Sequence, residues 1–187
     1  MFIQTEKTPN PSTLKFIPGK IILENGTLEY KNKKEAQSFE LARNLFDDKN
    51  VSNVFFGRDF ITITRSTDVD WEILKPIVFS KILDFFSLND KIEIKKGIKS
   101  SKSEKKYKKK DMEIIKQINQ LLDERIKPAV AQDGGDISFV KYKDGVVFLE
   151  LRGACAGCPS STITLKSGIE NMLKYYIPEV VSVEEAN

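Results

Sequence analysis

Apolar residues recur at helical spacing twice in the C-terminal half of the chain. Between 112 and 127, Ile114, Ile118, Leu121, Leu122 and Ile126 share one stripe, and Pro128 is expected to stop that helix. From about 160 to 176, Leu165, Ile169, Met172, Leu173 and Tyr176 align in the same way. Between these helices the pattern changes to β-rich runs. ISFVKY (137–142) and VVFLELR (146–152) predict two strands joined by a Lys143-Asp144-Gly145 turn. The loop AVAQDGGD (129–136) leads into the first of them, and VVSV (180–183) predicts a short final strand. The order α-β-β-α-β implies an α+β domain with helices packed on a small mixed sheet.

The N-terminal half mixes the two periodicities. LKFIPG (14–19) is a short apolar run ended by Pro-Gly, and IILENGTLEY (21–30) carries an Asn25-Gly26 pair of the kind that turns a tight hairpin. Phe39, Ala42, Leu45 and Phe46 predict a helix over 34–46. VSNVFFGRDFITITR (51–65) reads as two strands hinged at Gly57-Arg58-Asp59. A second helix follows Asp70, with Trp71, Leu74, Val78, Ile82 and Phe85 on one face. Pro76 implies that it starts later or is kinked. Phe55, Phe56, Phe60, Phe85 and Phe86 are expected in a core rather than on a binding platform. This half holds no cysteine and no catalytic constellation.

Charge separates the halves. Residues 95–110 carry nine lysines and one glutamate, a net +8; subtracted from +3 for the whole, this leaves about −5 elsewhere. So polar a stretch buries too little surface to offset its ordering entropy, and is expected to be a flexible spacer. The expected organisation is therefore two small α+β domains, 1–96 and 111–187, joined by a Lys/Ser-rich linker over 97–110. No aromatic interleaving accompanies the lysines, so no nucleic-acid partner is implied. No apolar run approaches the roughly 20 residues that span a bilayer, so no membrane partner is implied either. The N-terminal segment MFIQTEKTPNPS has no basic lead into an apolar run. A cytoplasmic location is expected, or the mitochondrial matrix if a presequence has been removed.

Candidate chemistry is confined to GACAGCPSS (153–161), which holds both cysteines, Cys155 and Cys158; the chain has no histidine. In a reducing compartment such a pair is redox-active or metal-binding sooner than a structural disulfide. The loop lies between a strand and a helix, with Pro159 near the first helical position. Unpaired N–H groups of Ser160, Ser161 and Thr162 and the helix dipole are expected to lower the thiol pKa values, with both side chains on a surface loop. A metal centre wants four ligands, and one chain supplies two. Two copies about a two-fold axis would supply four. Zinc held by the same four thiolates, and a dithiol–disulfide oxidoreductase of thioredoxin type, remain alternatives on ligands alone. A thioredoxin-like fold needs further strands and a helix beyond its motif helix, and 29 residues follow Cys158 (187 − 158). In QDGGD, Gly134 and Gly135 are expected to turn the chain, with Asp133 and Asp136 solvated or bonded to backbone rather than ligating a hard metal.

GACAGCPSSTITLK and IKPAVAQDGGDI (126–137) resemble the C-terminal domain of NifU and the Nfu-type iron–sulfur proteins. MFIQTEKTPNPSTLKFIPG and VFFGRDFITITRSTDVDWEILKP resemble the extra N-terminal domain of mitochondrial and α-proteobacterial members. The resemblance implies a non-enzymatic scaffold or carrier, with Cys155 and Cys158 as ligands of an iron–sulfur cluster. That cluster is commonly 4Fe–4S, with 2Fe–2S open on the same ligands, and the ligand count above leads to the expectation that it bridges a homodimer. The implied partners are an upstream cluster scaffold and recipient apoproteins.

Overall fold

The computed structural model describes residues 2–66, 69–89, 107, 109–156 and 159–186, with the backbone alone for 159–161. It divides into two compact units, Met1–Ile98 and Lys99–Asn187, each with its own apolar core. Both are α+β, as the sequence pattern implies.

In the first unit five antiparallel strands form one sheet in the order β1-β2-β5-β4-β3. They are β1 (Gln4–Lys7), β2 (Thr13–Ile17), β3 (Leu28–Tyr30), β4 (Val51–Phe56) and β5 (Ile61–Arg65). Their register sets Phe16 beside Ile61 and Val54 beside Ile63, so alternate residues share one apolar face. Helices α1 (Glu40–Leu45) and α2 (Trp71–Leu88) join that face in a single core. Phe55, Phe56, Phe60, Phe85 and Phe86 are all buried.

Three local expectations change. The segment before Asn25-Gly26 forms no strand. The Ile22 and Leu23 amides both donate to the Arg58 carbonyl, at 2.6 and 3.1 Å, and their side chains are buried. Those donors are used on the 57–59 loop, and β3 pairs with β4 instead.

The helix over 34–46 is broken at Phe39, where the backbone is extended (φ −134°, ψ 111°), leaving a 3₁₀ turn, Glu35–Ser38, before α1. The Phe39 ring is fully buried, 4.6 Å from Phe56 and 6.2 Å from Phe85 between centroids. Burying a phenylalanine is worth about 1.5–3 kcal/mol, against about 1 kcal/mol net for a helical hydrogen bond. Packing wins. Helix α2, finally, starts at Trp71 and runs on through Pro76. Glu72, whose carbonyl loses its helical donor to the proline, is exposed to water.

The second unit begins with a longer helical run than the stripe at 112–127 predicts. Helix α3 (Lys109–Leu121) starts two residues inside the span assigned to the linker; 97–106 and 108 lie outside the described residues. A π turn, Leu122–Ile126, follows, and then α4 (Lys127–Gln132). Pro128 sits in the first turn of α4, directly after the π turn, and the helical run passes through it. It therefore starts a helical segment rather than stopping one, and much of the expected 129–136 loop is helix.

The buried residues explain the π turn. Ile114, Ile118, Leu122, Ile126 and Val130 recur at a strict spacing of four. On an α-helix that row drifts about 40° per step. One wider turn takes back part of the drift and keeps Ile126 and Val130 on the core.

β6 (Gly135–Lys143) and β7 (Val146–Gly153) form a hairpin closed at Asp144 (φ 49°) and Gly145 (φ 83°), as expected of that pair. Helix α5 (Pro159–Tyr176) and β8 (Ser182–Glu185) complete the unit, the strand lying two residues later than VVSV suggests. The sheet order is β6-β7-β8, with β8 parallel to β7. Val147, Leu149 and Leu151 share the core with Ile169 and Leu173 of α5. No described helix is long and apolar enough to cross a membrane.

Candidate metal centre

The position of Cys155 is set by the hairpin beneath it. A bulge between Phe139 and Lys141 shifts the β6–β7 register by one, so that Gly135 lies opposite Gly153. Continued from the turn without the bulge, Lys143 opposite Val146 would have set Gly135 against Ala154. Gly153 then takes a positive φ of 63° and reverses the chain. The Ala154 amide donates to the Gly134 carbonyl at 3.1 Å, and the Ala156 amide to the Gly153 carbonyl at 3.1 Å. From the first turn of α5, Thr162 Oγ1 donates to the Cys155 carbonyl at 3.3 Å. Strand end, preceding turn and following helix thus all hold this one residue.

The Cys155 side chain does not project from a surface loop. It is 6% exposed and belongs to the unit's core cluster. Its sulfur sits in a slot left by Gly135: a Cβ built there would lie 2.5 Å from Cys155 Sγ, 2.8 Å from the Arg152 carbonyl oxygen and 3.1 Å from the Cys155 nitrogen. Gly135 is a positioning residue that sequence reasoning missed, because a Gly-Gly pair between a helix and a strand reads locally as nothing more than a turn. The turn at Asp133-Gly134 is present, and Gly134 alone has the positive φ (83°). A second glycine opening a strand was the available signal that something packs against its Cα.

The electrostatics also reverse an expectation. Burial, and then the carboxylates of Asp133 and Asp136, push the Cys155 thiol up to about 12. The helix dipole fades within the first turn, and α5 starts four residues after Cys155. Desolvation and two nearby negative charges outweigh it, so Cys155 rests as a protonated thiol. The two aspartates act on the site as charges and not merely as turn formers. Pro159 does open α5, as expected. Cys158, the other candidate ligand, lies outside the described residues. Among the described residues no group of three or more His, Cys, Asp or Glu could hold a metal ion.

This arrangement coincides with known families. Residues 3–89 match the family described as scaffold protein Nfu/NifU N terminal, and residues 118–184 match the NifU-like domain. The chain is 46% identical over 186 residues to the NFU1 iron-sulfur cluster scaffold homolog, mitochondrial, of Homo sapiens, covering 99% of this chain and 72% of the human protein. The chain belongs to the Nfu family of NifU-like proteins. Within that family it is also 45% identical over 187 residues to NifU-like protein 4, mitochondrial, of Arabidopsis thaliana, spanning 66% of that protein's length. A solved NifU-like protein from Saccharomyces cerevisiae shares 26% identity with this Nfu chain, over 52% of it and 87% of the yeast chain, with a TM-score of 0.47. The match at 118–184 takes in the whole Gly135–Cys155–α5 arrangement, and the match at 3–89 takes in the five-stranded sheet with α1 and α2.

Proposed function

We propose that this Nfu-family chain is a non-enzymatic iron–sulfur carrier whose cargo is a cluster held by Cys155 and Cys158 of two copies and handed to apoproteins. The observation that carries the proposal is the donor count. The sequence has two cysteines and no histidine, whereas an iron–sulfur cluster takes four such ligands. A second copy supplies the missing pair. The names of the relatives, iron–sulfur cluster scaffold among them, support the cargo assigned. The cargo is 4Fe–4S; 2Fe–2S uses the same four thiolates.

Loading asks two things of Cys155: its sulfur leaves the Gly135 slot, and its proton goes to solvent as the metal–thiolate bond forms. Association costs several kcal/mol, roughly 4–15. Bonds to the cargo across the interface supply the compensation, so dimer and cluster form and separate together. The chemistry suits a reducing compartment, the mitochondrial matrix or a bacterial-type cytoplasm, and the relatives named as mitochondrial support the matrix. Dithiol–disulfide exchange draws no support from the matched families or from the names of the relatives.

Anaerobic reconstitution with iron and sulfide, read by Mössbauer spectroscopy and native mass spectrometry on one sample, tests the proposal. Two chains per cluster are expected, and no loading for Cys155→Ser or Cys158→Ser. A loaded monomer would overturn the bridging. Insulin reduction in the absence of any visible absorbance after reconstitution would favour the oxidoreductase.

A further inference from the structure

The first unit carries no candidate chemistry of its own, yet it holds an open groove of about 590 Å³ between edge strand β1 and the first turns of α2. Thr5 and Lys7 line one wall, Trp71, Glu72 and Lys75 the other, and Leu14 of β2 joins the lining. β1 is a terminal strand of the sheet, and three of its four residues are exposed. Among the described residues no strand pairs with its outer edge, which therefore offers backbone N–H and C=O groups to an incoming strand. Thr5 and Lys7 pair across to Phe16 and Leu14, which puts them on the helix-covered side of the sheet. A strand added beside β1 would send alternate side chains into the groove and the others to the opposite face.

The groove is built ahead of any occupant. Thr8 Oγ1 lies 2.8 Å from the Asn10 carbonyl and 2.9 Å from the Thr13 carbonyl and shares its one proton between them, fastening the β1–β2 turn. Trp71 Nε1 donates to the Pro11 carbonyl at 3.2 Å, tying that turn to α2. Such preorganisation removes ordering cost from binding.

Charge selects the occupant. Lys7 and Lys75 converge on the groove from different elements, and neither makes an ion pair among the described residues. Glu72 alone opposes them, leaving the lining net positive by one. A lysine on an edge strand commonly serves only to discourage self-pairing. Lys75 lies on the helix, where its Nζ stands 5.6 Å from the centre of the Phe79 ring, a contact that leaves the charge without a carboxylate partner among the described residues. We propose that the groove between β1 and α2 takes an extended peptide segment of a partner protein as an added sixth strand, with one acidic side chain between Lys7 and Lys75 and apolar contact at Trp71 and Leu14. The site does not involve Cys155 or Cys158, so it stands or falls separately from cluster carriage.

A random 12-residue phage-displayed library, selected on the immobilised full chain, supplies the probe. Enriched peptides should alternate apolar or β-branched residues and carry Asp or Glu. By fluorescence anisotropy of one such peptide, Lys7→Glu and Lys75→Glu should each weaken binding about fivefold, and Glu72→Lys should strengthen it. All three side chains line an open groove, and circular dichroism checks that each variant is folded. Amide hydrogen exchange should show new protection at residues 4–7 in the bound state. The inference is overturned if no peptide is enriched, if affinity survives both lysine reversals, or if protection appears elsewhere with β1 unchanged.

Discussion

Gly135→Ala probes the slot that holds the Cys155 sulfur. The added methyl would meet Cys155 Sγ at 2.5 Å and the Arg152 carbonyl oxygen at 2.8 Å. Ordinary non-bonded contacts lie near 3.5–4.0 Å, so each overlap is about 1 Å. The sulfur can rotate away; the carbonyl belongs to β7 and moves only if the ladder moves. Overpacking of this kind costs about 1–3 kcal/mol. The variant should therefore lose that much stability, and its Cys155 thiol should be driven toward solvent. Denaturant unfolding, followed by amide exchange in the β6–β7 peptides, measures the first effect. The rate of iodoacetamide labelling at Cys155, mapped by mass spectrometry, measures the second, and it should rise because an exposed thiol both meets the reagent and ionises more readily. A variant as stable as the parent to within 0.5 kcal/mol, with unchanged labelling at Cys155, would refute the packing argument.

Burial also alters what the cysteine substitutions should do. Cys155→Ser brings a hydroxyl into an apolar cluster, so it should be less stable than Cys155→Ala by about 1–2 kcal/mol. Equal midpoints for the two in urea would count against a buried site. A third prediction concerns Glu170 on α5, whose carboxylate accepts from Lys174 Nζ at 2.6 Å and from the Val183 amide of β8 at 2.9 Å. The Lys174 bond, followed by the Val183 bond, holds its pKa below the ordinary carboxylate range. A depressed folded-state pKa stabilises above the unfolded value and stops doing so as pH falls through the folded value. The stability lent by Glu170 should be complete near neutrality, begin to fall as pH drops past the ordinary carboxylate value of about 4.3, and be lost below the depressed folded value; Glu170→Gln should flatten that part of the profile. An NMR titration of the carboxyl that gave a raised value would contradict it.

Local signals alone located much of this protein. The β-rich runs of β4, β5 and β7, the Asp144-Gly145 turn and the stripe on α5 depend only on residues two to four apart, and here the tertiary packing agrees with them. The two cysteines and the missing histidines set the donor count whatever the fold. The four-residue spacing from Ile114 to Val130 was equally visible, and its drift around an α-helix foreshadowed the π turn that a single straight helix ending at Pro128 could not accommodate. Other features had no local cause. Phe39 breaks its helix because Phe56 and Phe85 wait for its ring, and Ile22 and Leu23 leave the predicted hairpin because the Arg58 carbonyl takes their amides.

The state of Cys155 was the least legible. Next to a helix N-terminus the sequence pointed to a lowered pKa on an exposed loop. Asp133, Gly135 and Asp136, about twenty positions earlier, come to the sulfur only through the bulged β6–β7 pairing. The set of available donors is a property of composition, which folding leaves unchanged. Burial and electrostatic field are sums over neighbours in space, and only tertiary structure selects those neighbours.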